Sequence, residues 1–190
     1  MAITRIDGVG ASLAKNLIGF CGSASAVFSK TKSQLQKIPG IGYLTANNIH
    51  QFNEFDGLIK EMELNVKRGI QSIPYTDSLY PTRLKNYDDS PVLIYVKGQL
   101  NLNSKRIVSI VGTRTSTPYG RNFTFELIQK LKQHEVVVLS GLANGTDTNA
   151  HQACVKYGLP TGECWGMDSL LCTQVLINHF QRRCFITVHS

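Results

Sequence analysis

The sequence predicts an α/β domain built on a parallel sheet, preceded by a small all-α module. Three observations predict this fold class. A short glycine turn occurs twice in the first 52 residues, each time before a segment of helical spacing. Residues 106–112 form a nearly continuous apolar run, as expected of a strand buried on both faces of a sheet. Helical and strand patterns then alternate, which favours a parallel sheet.

The length of the chain suits two small units. It has 190 residues, of which 42% are hydrophobic, so each unit can bury a core. The pattern changes from helical to mixed near residue 62, and we predict a helical module over residues 1–62 and an α/β domain over residues 63–190. The formal net charge of +7 and the pI of 9.2 favour a polyanionic partner.

The repeated turn occupies residues 6–10 and 38–42. In each copy an apolar residue, a spacer, glycine, a second apolar residue and glycine precede a predicted helix, over residues 11–20 and 43–52. Glycine permits positive φ, and free amides at the start of a helix attract anions. The pattern resembles the helix-hairpin-helix family and SAM-like modules, which implies sequence-independent contact with DNA phosphates. A packing module without DNA contact is the alternative, since few basic residues flank the turns.

The segment between the two units carries two predicted strands and a short turn. Residues 65–73 are compatible with a strand, and the β-branched and aromatic residues 92–96 predict another. Between them, Pro81 and Pro91 bracket a short helical turn. We expect this segment to add a strand to the sheet and to pack against the core.

The apolar run of residues 106–112 begins the predicted core of the α/β domain. It leads through a loop at residues 113–118 to a helix at 119–133 and a second strand at 136–139. This order places backbone amides and the positive end of a helix at the carboxyl edge of the sheet, where a Rossmann-like fold binds phosphorylated ligands. Arg114 adds a planar charge suited to phosphate. The loop carries neither a dinucleotide fingerprint nor a Walker sequence, so no nucleotide cofactor is expected.

The second strand leads into the most distinctive segment of the chain, residues 140–151. Gly141 and Gly145 permit tight turns. Asp147 is placed to cap the following helix, and His151 lies one turn later on the same face. We therefore expect these side chains to structure the loop.

A hydrolase is a possible misinterpretation of this segment, because Asp147 and His151 lie near Ser140 in the sequence. The chain has no Gly-x-Ser-x-Gly elbow and no third triad member. We predict no catalytic residue, and we predict that the protein is not an enzyme.

Four motifs together resemble the DprA/Smf (DNA-processing protein A) family. They are Tyr80-Pro81-x-x-Leu84 with residues 91–98, Gly112-Thr113-Arg114, Tyr119-Gly120, and Ser-Gly-x-Ala-x-Gly-x-Asp-x-x-Ala-His at residues 140–151. The resemblance covers roughly residues 79–160. It implies a homodimeric protein that holds and protects single-stranded DNA in a basic pocket and passes the strand to RecA during natural transformation.

The resemblance also implies a site for DNA phosphates at the ends of the strands. The residues expected there are Gly112, Thr113, Arg114, Arg121, Ser140, Gly141 and Gly145. Lys105 and Arg106 are expected to line the approach, together with Arg121. Such a groove requires positioned cations, amides and aromatic faces rather than bond-making groups.

The resemblance stops after about Thr161. A buried apolar strand is expected there, whereas the chain has Glu163 and Trp165. Translation from the third base of each codon allows the missing pattern at the correct spacing, apart from one Asp. We therefore hypothesise that residues 162–190 come from a shifted reading frame and are not native sequence. The sheet, the dimer surface and the RecA-facing region would then be incomplete, and we expect an open strand edge, weak DNA binding and poor solubility.

Other features of the chain concern its compartment and metal binding. The N-terminus lacks a signal-peptide pattern, and no segment approaches about 18 uninterrupted apolar residues, so neither export nor membrane insertion is expected. The five cysteines show no zinc-like spacing with histidine. We expect reduced thiols in a cytoplasmic protein, with no metal and no other cofactor.

Two further function classes stay open at this point. A nucleotide phosphoribohydrolase of the "lysine decarboxylase-like" type has a similar Rossmann-like fold and phosphate pocket, but its Pro-Gly-Gly-x-Gly-Thr motif and following Glu do not occur here. The other class is a non-catalytic interaction module whose helical N-terminal part binds protein.

Overall fold

The computed structural model describes residues 1–166 and 184–189. Contacts divide the chain into two compact units, one of residues 1–68 with 82–93 and the other of residues 69–81 with 94–190. None of the described helices is long and apolar enough to cross a membrane. Much of the segment assigned to a shifted reading frame, residues 167–183 and 190, lies outside the described residues, and that hypothesis stays a prediction.

The first unit is helical. After a short 3-10 helix, Ala2–Arg5, its helices are α1 Ala11–Cys21, α2 Ala24–Phe28, α3 Lys32–Leu35, α4 Tyr43–Gln51, α5 Phe55–Lys67 and α6 Thr82–Lys85. Apolar side chains from successive helices are fully buried and form its core: Leu17, Val27, Leu35, Ala46 and Ile49.

The two glycine turns of this unit share one backbone conformation. Gly8 and Gly40 have φ angles of +84° and +85°. Gly10 and Gly42 are the N-cap residues of α1 and α4, with φ angles of −80° and −82°. In both turns the amide between the glycines donates to the carbonyl three residues earlier, at 3.0 and 3.1 Å. The repeat in the sequence is therefore a repeat of a turn followed by a helix.

Helix α5 corrects the predicted boundary near residue 62. The helix continues through that position to Lys67, and β1 begins only at Ile70. Residues 65–67 are therefore helical, and the short strand expected within residues 65–73 begins only at the end of that range, as β1. Asn65 is 8% exposed and belongs to the buried face of the helix, and Gly69, with φ of +68°, follows the helix end.

The second unit contains, among its described residues, a six-stranded sheet with the order β1-β2-β6-β5-β4-β3. Strands β3, β4 and β5 are parallel neighbours, and α7 and α8 connect them in turn, which confirms the predicted α/β class. The bounds are β1 Ile70–Pro74, β2 Leu93–Lys97, β3 Ile107–Ser109, α7 Pro118–Leu131, β4 Val137–Ser140, α8 Thr146–Tyr157, β5 Thr161–Gly166 and β6 Cys184–His189.

Strand β6 corrects the expectation of an open edge beside β5. It lies between β2 and β5. It runs parallel to β2, with Cys184 opposite Ile94, and antiparallel to β5, with Cys184 opposite Gly166. Strand pairing uses backbone groups that every residue except proline carries, so a segment without the family pattern can still complete a ladder. The described sheet is therefore mixed, and the edge of β5 is covered.

The core of the second unit places the two long helices against the sheet. Ile128 of α7 and Ala150 and Ala153 of α8 are fully buried in one cluster with Val138 of β4. Burying a valine or isoleucine side chain stabilises the fold by roughly 1.5–3 kcal/mol. The packing fixes the positions of the helices and hence of the loops that precede them.

Candidate functional site

Two loops meet at the carboxyl ends of β3 and β4. The amide of Ile110 donates to the carbonyl of Leu139 at 2.9 Å, one residue beyond β3. Ser140 is 3% exposed, and its hydroxyl donates to the carbonyl of Ile110 at 2.6 Å. This hydroxyl links two strand ends and is shielded from solvent. The geometry therefore does not support the predicted approach of Ser140 to a phosphate.

Glycines allow the two loops to approach each other. Gly145 has φ of +89°, and a Cβ at this position would overlap the carbonyl oxygens of Thr113 and Arg114. A Cβ on Gly112 would lie 2.6 Å from Oγ1 of Thr146. The amide of Thr146, the first residue of α8, donates to the carbonyl of Thr113 at 3.1 Å. Side chains at either glycine would separate these segments.

Asp147 holds the second loop from within. The side chain is 7% exposed, and its Oδ2 accepts a hydrogen bond from the amide of Ala143 at 3.2 Å. A Cβ on Gly141 would lie 2.6 Å from the same oxygen, so this glycine makes room for the carboxylate. The prediction that Asp147 caps α8 is wrong, because the N-cap residue is Gly145 and Asp147 lies inside the helix. Its carboxylate bonds to the loop instead.

His151 connects the same loop to β5. Its Nε2 lies 2.9 Å from the carbonyl of Gly141, which can only accept, so Nε2 carries a proton. Its Nδ1 lies 2.9 Å from Oγ1 of Thr161, within hydrogen-bond distance. Both ring nitrogens are thus engaged in holding structure, and neither is aligned to abstract a proton from a ligand.

Cys154 offers no nucleophile in this region. Burial raises the pKa of its thiol to about 11, and a hydrogen bond with Thr161 offsets part of the increase. The thiol is therefore protonated near neutral pH, which disfavours thiolate chemistry at this position.

An open groove of about 860 Å³, which we name the α7–α8 groove, lies beside the loops. Three cationic side chains line it: Arg114 from the loop after β3, Arg121 from α7 and Lys156 from α8. Glu126 is the single acidic residue among its described lining residues. Within the described part of the chain, none of the three cations forms an ion pair. The groove therefore carries net positive charge.

Two aromatic rings also line the groove. Phe125 and Tyr157 meet edge to face, with centroids 6.5 Å apart. The guanidinium carbon of Arg121 lies 5.7 Å from the centre of the Phe125 ring. The ammonium of Lys156 lies 5.6 Å from the same ring and 5.3 Å from the Tyr157 ring. Cation–π attraction holds these charges over the rings without neutralising them.

Hydrogen bonds fix the loop that carries Arg114. The amide of Asn149, a residue 7% exposed on α8, donates from Nδ2 to Oγ of Ser116 at 2.8 Å. Thr117 caps α7, because its Oγ1 accepts from the amide of Gly120 at 3.1 Å. The loop is thus attached to both helices that form the groove.

The structure brings part of the predicted site into this groove. Arg114, Arg121 and Gly145 line it. The other members of the predicted set lie outside its lining: Gly112, Thr113, Ser140 and Gly141.

The expectation for Arg106 is wrong. Its guanidinium donates to the carbonyl of His134 at 2.6 Å, and both Lys105 and Arg106 precede the amino end of β3. Loops at the carboxyl ends lie at the opposite edge of a parallel sheet. These two residues therefore do not line the approach to the α7–α8 groove.

Among the cations and aromatic rings that line the groove, three residues are not predicted by the sequence analysis: Phe125, Lys156 and Tyr157. Phe125 follows Arg121 by one helical turn, and that spacing is the one signal that could have found it. Lys156 and Tyr157 end α8 and belong to no motif. In the described residues, no group of three or more His, Cys, Asp or Glu side chains is arranged to hold a metal ion.

The parallel strands, the glycine loops at their carboxyl ends and the adjoining basic groove define a Rossmann-like α/β protein with a site suited to an anionic ligand. Residues 71–169 match the model of the family described as DNA recombination-mediator protein A. The chain belongs to this family, the DprA/Smf family of its relatives. The match extends to residue 169, beyond Thr161, where we expected the resemblance to stop.

Several bacterial proteins named for DNA processing are similar to this chain. DNA processing protein DprA of Bacillus subtilis is 36% identical over 111 residues, which cover 58% of this chain and 37% of that protein. DprA of Streptococcus pneumoniae is 39% identical over 87 residues, covering 46% and 30%. Protein Smf of Synechocystis is 27% identical over 164 residues, covering 82% and 40%. The chain thus spans between 30 and 40% of the length of these curated relatives.

A solved structure has the same fold. The X-ray structure of DprA from Streptococcus pneumoniae superimposes with a TM-score of 0.63 at 22% sequence identity. The superposition covers 84% of this chain and 53% of that chain. The likeness supports the Rossmann-like assignment that the strand order and the parallel core already indicate.

Proposed function

We propose that the chain is a cytoplasmic protein that binds single-stranded DNA in the α7–α8 groove and does not catalyse a reaction. On this proposal it protects incoming strands during natural transformation and helps to load RecA, as the family resemblance implies. The resemblance also implies a homodimer, whose surface the segment after Thr161 would leave incomplete. The observation that carries the proposal is the set of three cations without ion-pair partners beside two aromatic rings.

The length of the groove along α8 suits a chain of phosphates rather than a single anion. Arg114 lies in the loop at the carboxyl edge, whereas Lys156 lies near the end of α8. Thr148, another lining residue, precedes Lys156 by eight residues, which corresponds to about 12 Å along a helix axis. Successive phosphates of one B-DNA strand are about 3.4 Å apart along the axis, so several fit within this length.

The aromatic rings favour single strands over duplexes. A base stacks on a ring only when its face is free, and the faces of paired bases are covered by their neighbours. In the α7–α8 groove, Phe125 and Tyr157 lie directly beneath Arg121 and Lys156. A phosphate that draws either cation off its ring would expose that ring to a base. Stacking of this kind contributes roughly 1–3 kcal/mol per base.

Fluorescence anisotropy with labelled oligo-dT and a matched duplex, at about 50 and 200 mM salt, tests this proposal. We expect Arg114→Ala, Arg121→Ala and Lys156→Ala each to weaken binding of oligo-dT roughly tenfold and to lower the salt slope by about one ion. Phe125→Leu should weaken binding while leaving the slope unchanged. Lys132→Ala is the control, because Lys132 is exposed and lies outside the groove lining.

Two results would contradict the proposal. Equal affinity for oligo-dT and duplex would show that the aromatic rings do not select single strands. Equal loss of affinity in Lys132→Ala and Arg121→Ala would show that the DNA does not bind in the groove. An assay for release of base from nucleoside monophosphate addresses catalysis, and turnover would contradict the non-enzymatic part of the proposal.

A further inference from the structure

Helix α7 carries a second pair of aromatic rings, outside the α7–α8 groove. Tyr119 and Phe123 lie one helical turn apart, and their rings are nearly parallel, with an interplanar angle of 23° and centroids 6.4 Å apart. The two residues are 79% and 54% exposed. Neither belongs to the lining of the groove. We name this pair the outer platform.

The outer platform borders the groove along the surface of α7. Residues three or four apart are neighbours on a helix surface. Tyr119 is three residues from Asn122, and Phe123 is three residues from Glu126. Both Asn122 and Glu126 line the groove. A strand that leaves the groove across the exposed surface of α7 therefore meets the outer platform next.

The rings of the outer platform differ from the rings in the groove in what covers them. Phe125 and Tyr157 of the groove are partly buried, and the cationic groups beside them lie 5.3 to 5.7 Å from the ring centres. Within the described part of the chain, no cation lies over the ring of Tyr119 or Phe123. A base can therefore reach the outer platform without displacing a charged group.

The surroundings of the outer platform favour a flat ligand with polar edges over a protein surface. Among the described residues of α7, Tyr119 and Phe123 are the large apolar residues that are exposed, and Gly120, Arg121 and Asn122 separate them in the sequence. Extended apolar patches mark the sites of protein partners, whereas these two rings stand among polar groups. A nucleobase needs only the face of a ring, and every base has such a face.

We propose that the outer platform stacks one or two bases of a single DNA strand whose phosphates lie in the α7–α8 groove. The inference rests on the proposed function, since the groove supplies the phosphate contacts. A helix with its side chains is about 10–12 Å across, so a strand needs roughly three phosphate spacings of about 3.4 Å to cross α7. The groove accommodates about four at the same spacing. Only strands longer than those that fill the groove therefore reach the outer platform.

Fluorescence anisotropy of the full chain with labelled dT5 and dT15 tests the proposal. We expect Tyr119→Ser with Phe123→Ser to weaken binding of dT15 at least about fivefold, and binding of dT5 less than about twofold. The salt slope should stay unchanged for both, because no charge is removed. Tyr119→Phe should retain the affinity of the unmodified chain, since it keeps the ring face and removes only the hydroxyl.

A matched control comes from the neighbouring helix. Val155 is 68% exposed on α8 and lies outside the groove lining, so Val155→Ser should change the affinity for neither oligonucleotide. Circular dichroism of each variant checks that the helices remain folded.

A spectroscopic measurement reports stacking directly. Phe123→Trp places an indole in the outer platform, and a base stacked on an indole quenches its fluorescence. The chain contains one other tryptophan, Trp165, whose signal is subtracted by measuring the unmodified chain in parallel. We expect dT15 to quench the introduced fluorescence and dT5 to leave it unchanged.

The possible outcomes separate this inference from the proposed function. If Arg121→Ala weakens binding of dT15 and the double serine variant does not, the outer platform is overturned and the groove is retained. Equal losses for dT5 and dT15 in the double variant, or an equal loss in Val155→Ser, would overturn the outer platform as well. Failure of the unmodified chain to bind either oligonucleotide would overturn both proposals.

Discussion

Gly145 has a φ of +89° and lies against the carbonyl groups of Thr113 and Arg114. Ser140, Asp147 and His151 similarly act through hydrogen bonds that hold backbone segments. At the scale of residues, the distinctive segment from 140 to 151 therefore positions loops, and all three cations of the groove come from elsewhere in the chain. The glycine is the residue on which this arrangement depends most directly.

We predict that Gly145→Ala lowers the free energy of unfolding by about 2 kcal/mol or more, because the new Cβ meets backbone oxygens and the φ angle is strained for alanine. Urea denaturation measures the change. Binding of oligo-dT should weaken as well, since the loop with Arg114 must move. Gly57→Ala is the control, because Gly57 lies within α5 with open space around it, and this change should be neutral or stabilising. Equal stability of the two variants would contradict the prediction.

The sequence predicts the loops of the candidate site better than its groove. Arg114 and Gly145 follow strands in recognisable motifs, so their neighbourhood can be inferred from strand order. Phe125 and Lys156 approach each other only because α7 packs beside α8, and the angle of that packing has no local signature. The resemblance implies that Ser140 approaches a phosphate, whereas the burial of this residue depends on the neighbouring loop.

At the scale of elements, helix α1 holds an irregular segment of its own unit. The ammonium of Lys15 donates to the carbonyls of Tyr87 and Asp88 at 2.9 and 3.0 Å and to Oγ of Ser90 at 2.7 Å. Three acceptors thus converge on one side chain. Residues 82–93 consequently belong to the helical unit, although the sequence continues directly from them into the sheet.

We predict that Lys15→Met destabilises the chain by roughly 1–3 kcal/mol, because the acceptors lose a charged donor while the aliphatic stem is kept. Limited proteolysis should show faster cleavage within residues 82–93. Lys37→Met removes an exposed lysine of the same unit and should leave both measurements unchanged. Cleavage at equal rates in the two variants would argue against this attachment.

Helices and strands with a clear hydrophobic periodicity can be predicted from the sequence, whereas their exact ends cannot. The predicted helix over residues 119–133 and strand over residues 136–139 agree with α7 and β4 to within two residues. The end of α5 and the start of β1 have no clear signal within residues 65–73, because the last turn of α5 has few apolar residues facing its core. The sequence of such a turn is like that of a loop or of the start of a strand, and packing against the rest of the unit determines that it is helical.

At the scale of the whole molecule, the position of β6 determines whether the sheet is continuous. This strand joins β2 to β5, and its residues lie in the segment that the frame hypothesis treats as non-native. Truncation after residue 183 should therefore leave two strand edges without partners. Exposed edges of this kind promote aggregation.

We predict that removal of residues 184–190 lowers the free energy of unfolding by at least about 2 kcal/mol and increases aggregation. Differential scanning calorimetry and light scattering measure the two effects. A variant that lacks only Ser190, one residue after β6, is the control. Unchanged transitions after the longer truncation would mean that the strand does not contribute to the sheet in solution.

The same strand sets the order of events in folding. The hydrogen bonds of the two glycine turns join residues that are near each other in the sequence, so the helical unit can form quickly. Ile94, by contrast, pairs with Cys184, which lies 90 residues later in the chain. Closing a loop of this length costs chain entropy before the hydrogen bonds of the ladder form. We expect the ladder between β2 and β6 to be the slow step of folding, with the helical unit formed long before the sheet is joined.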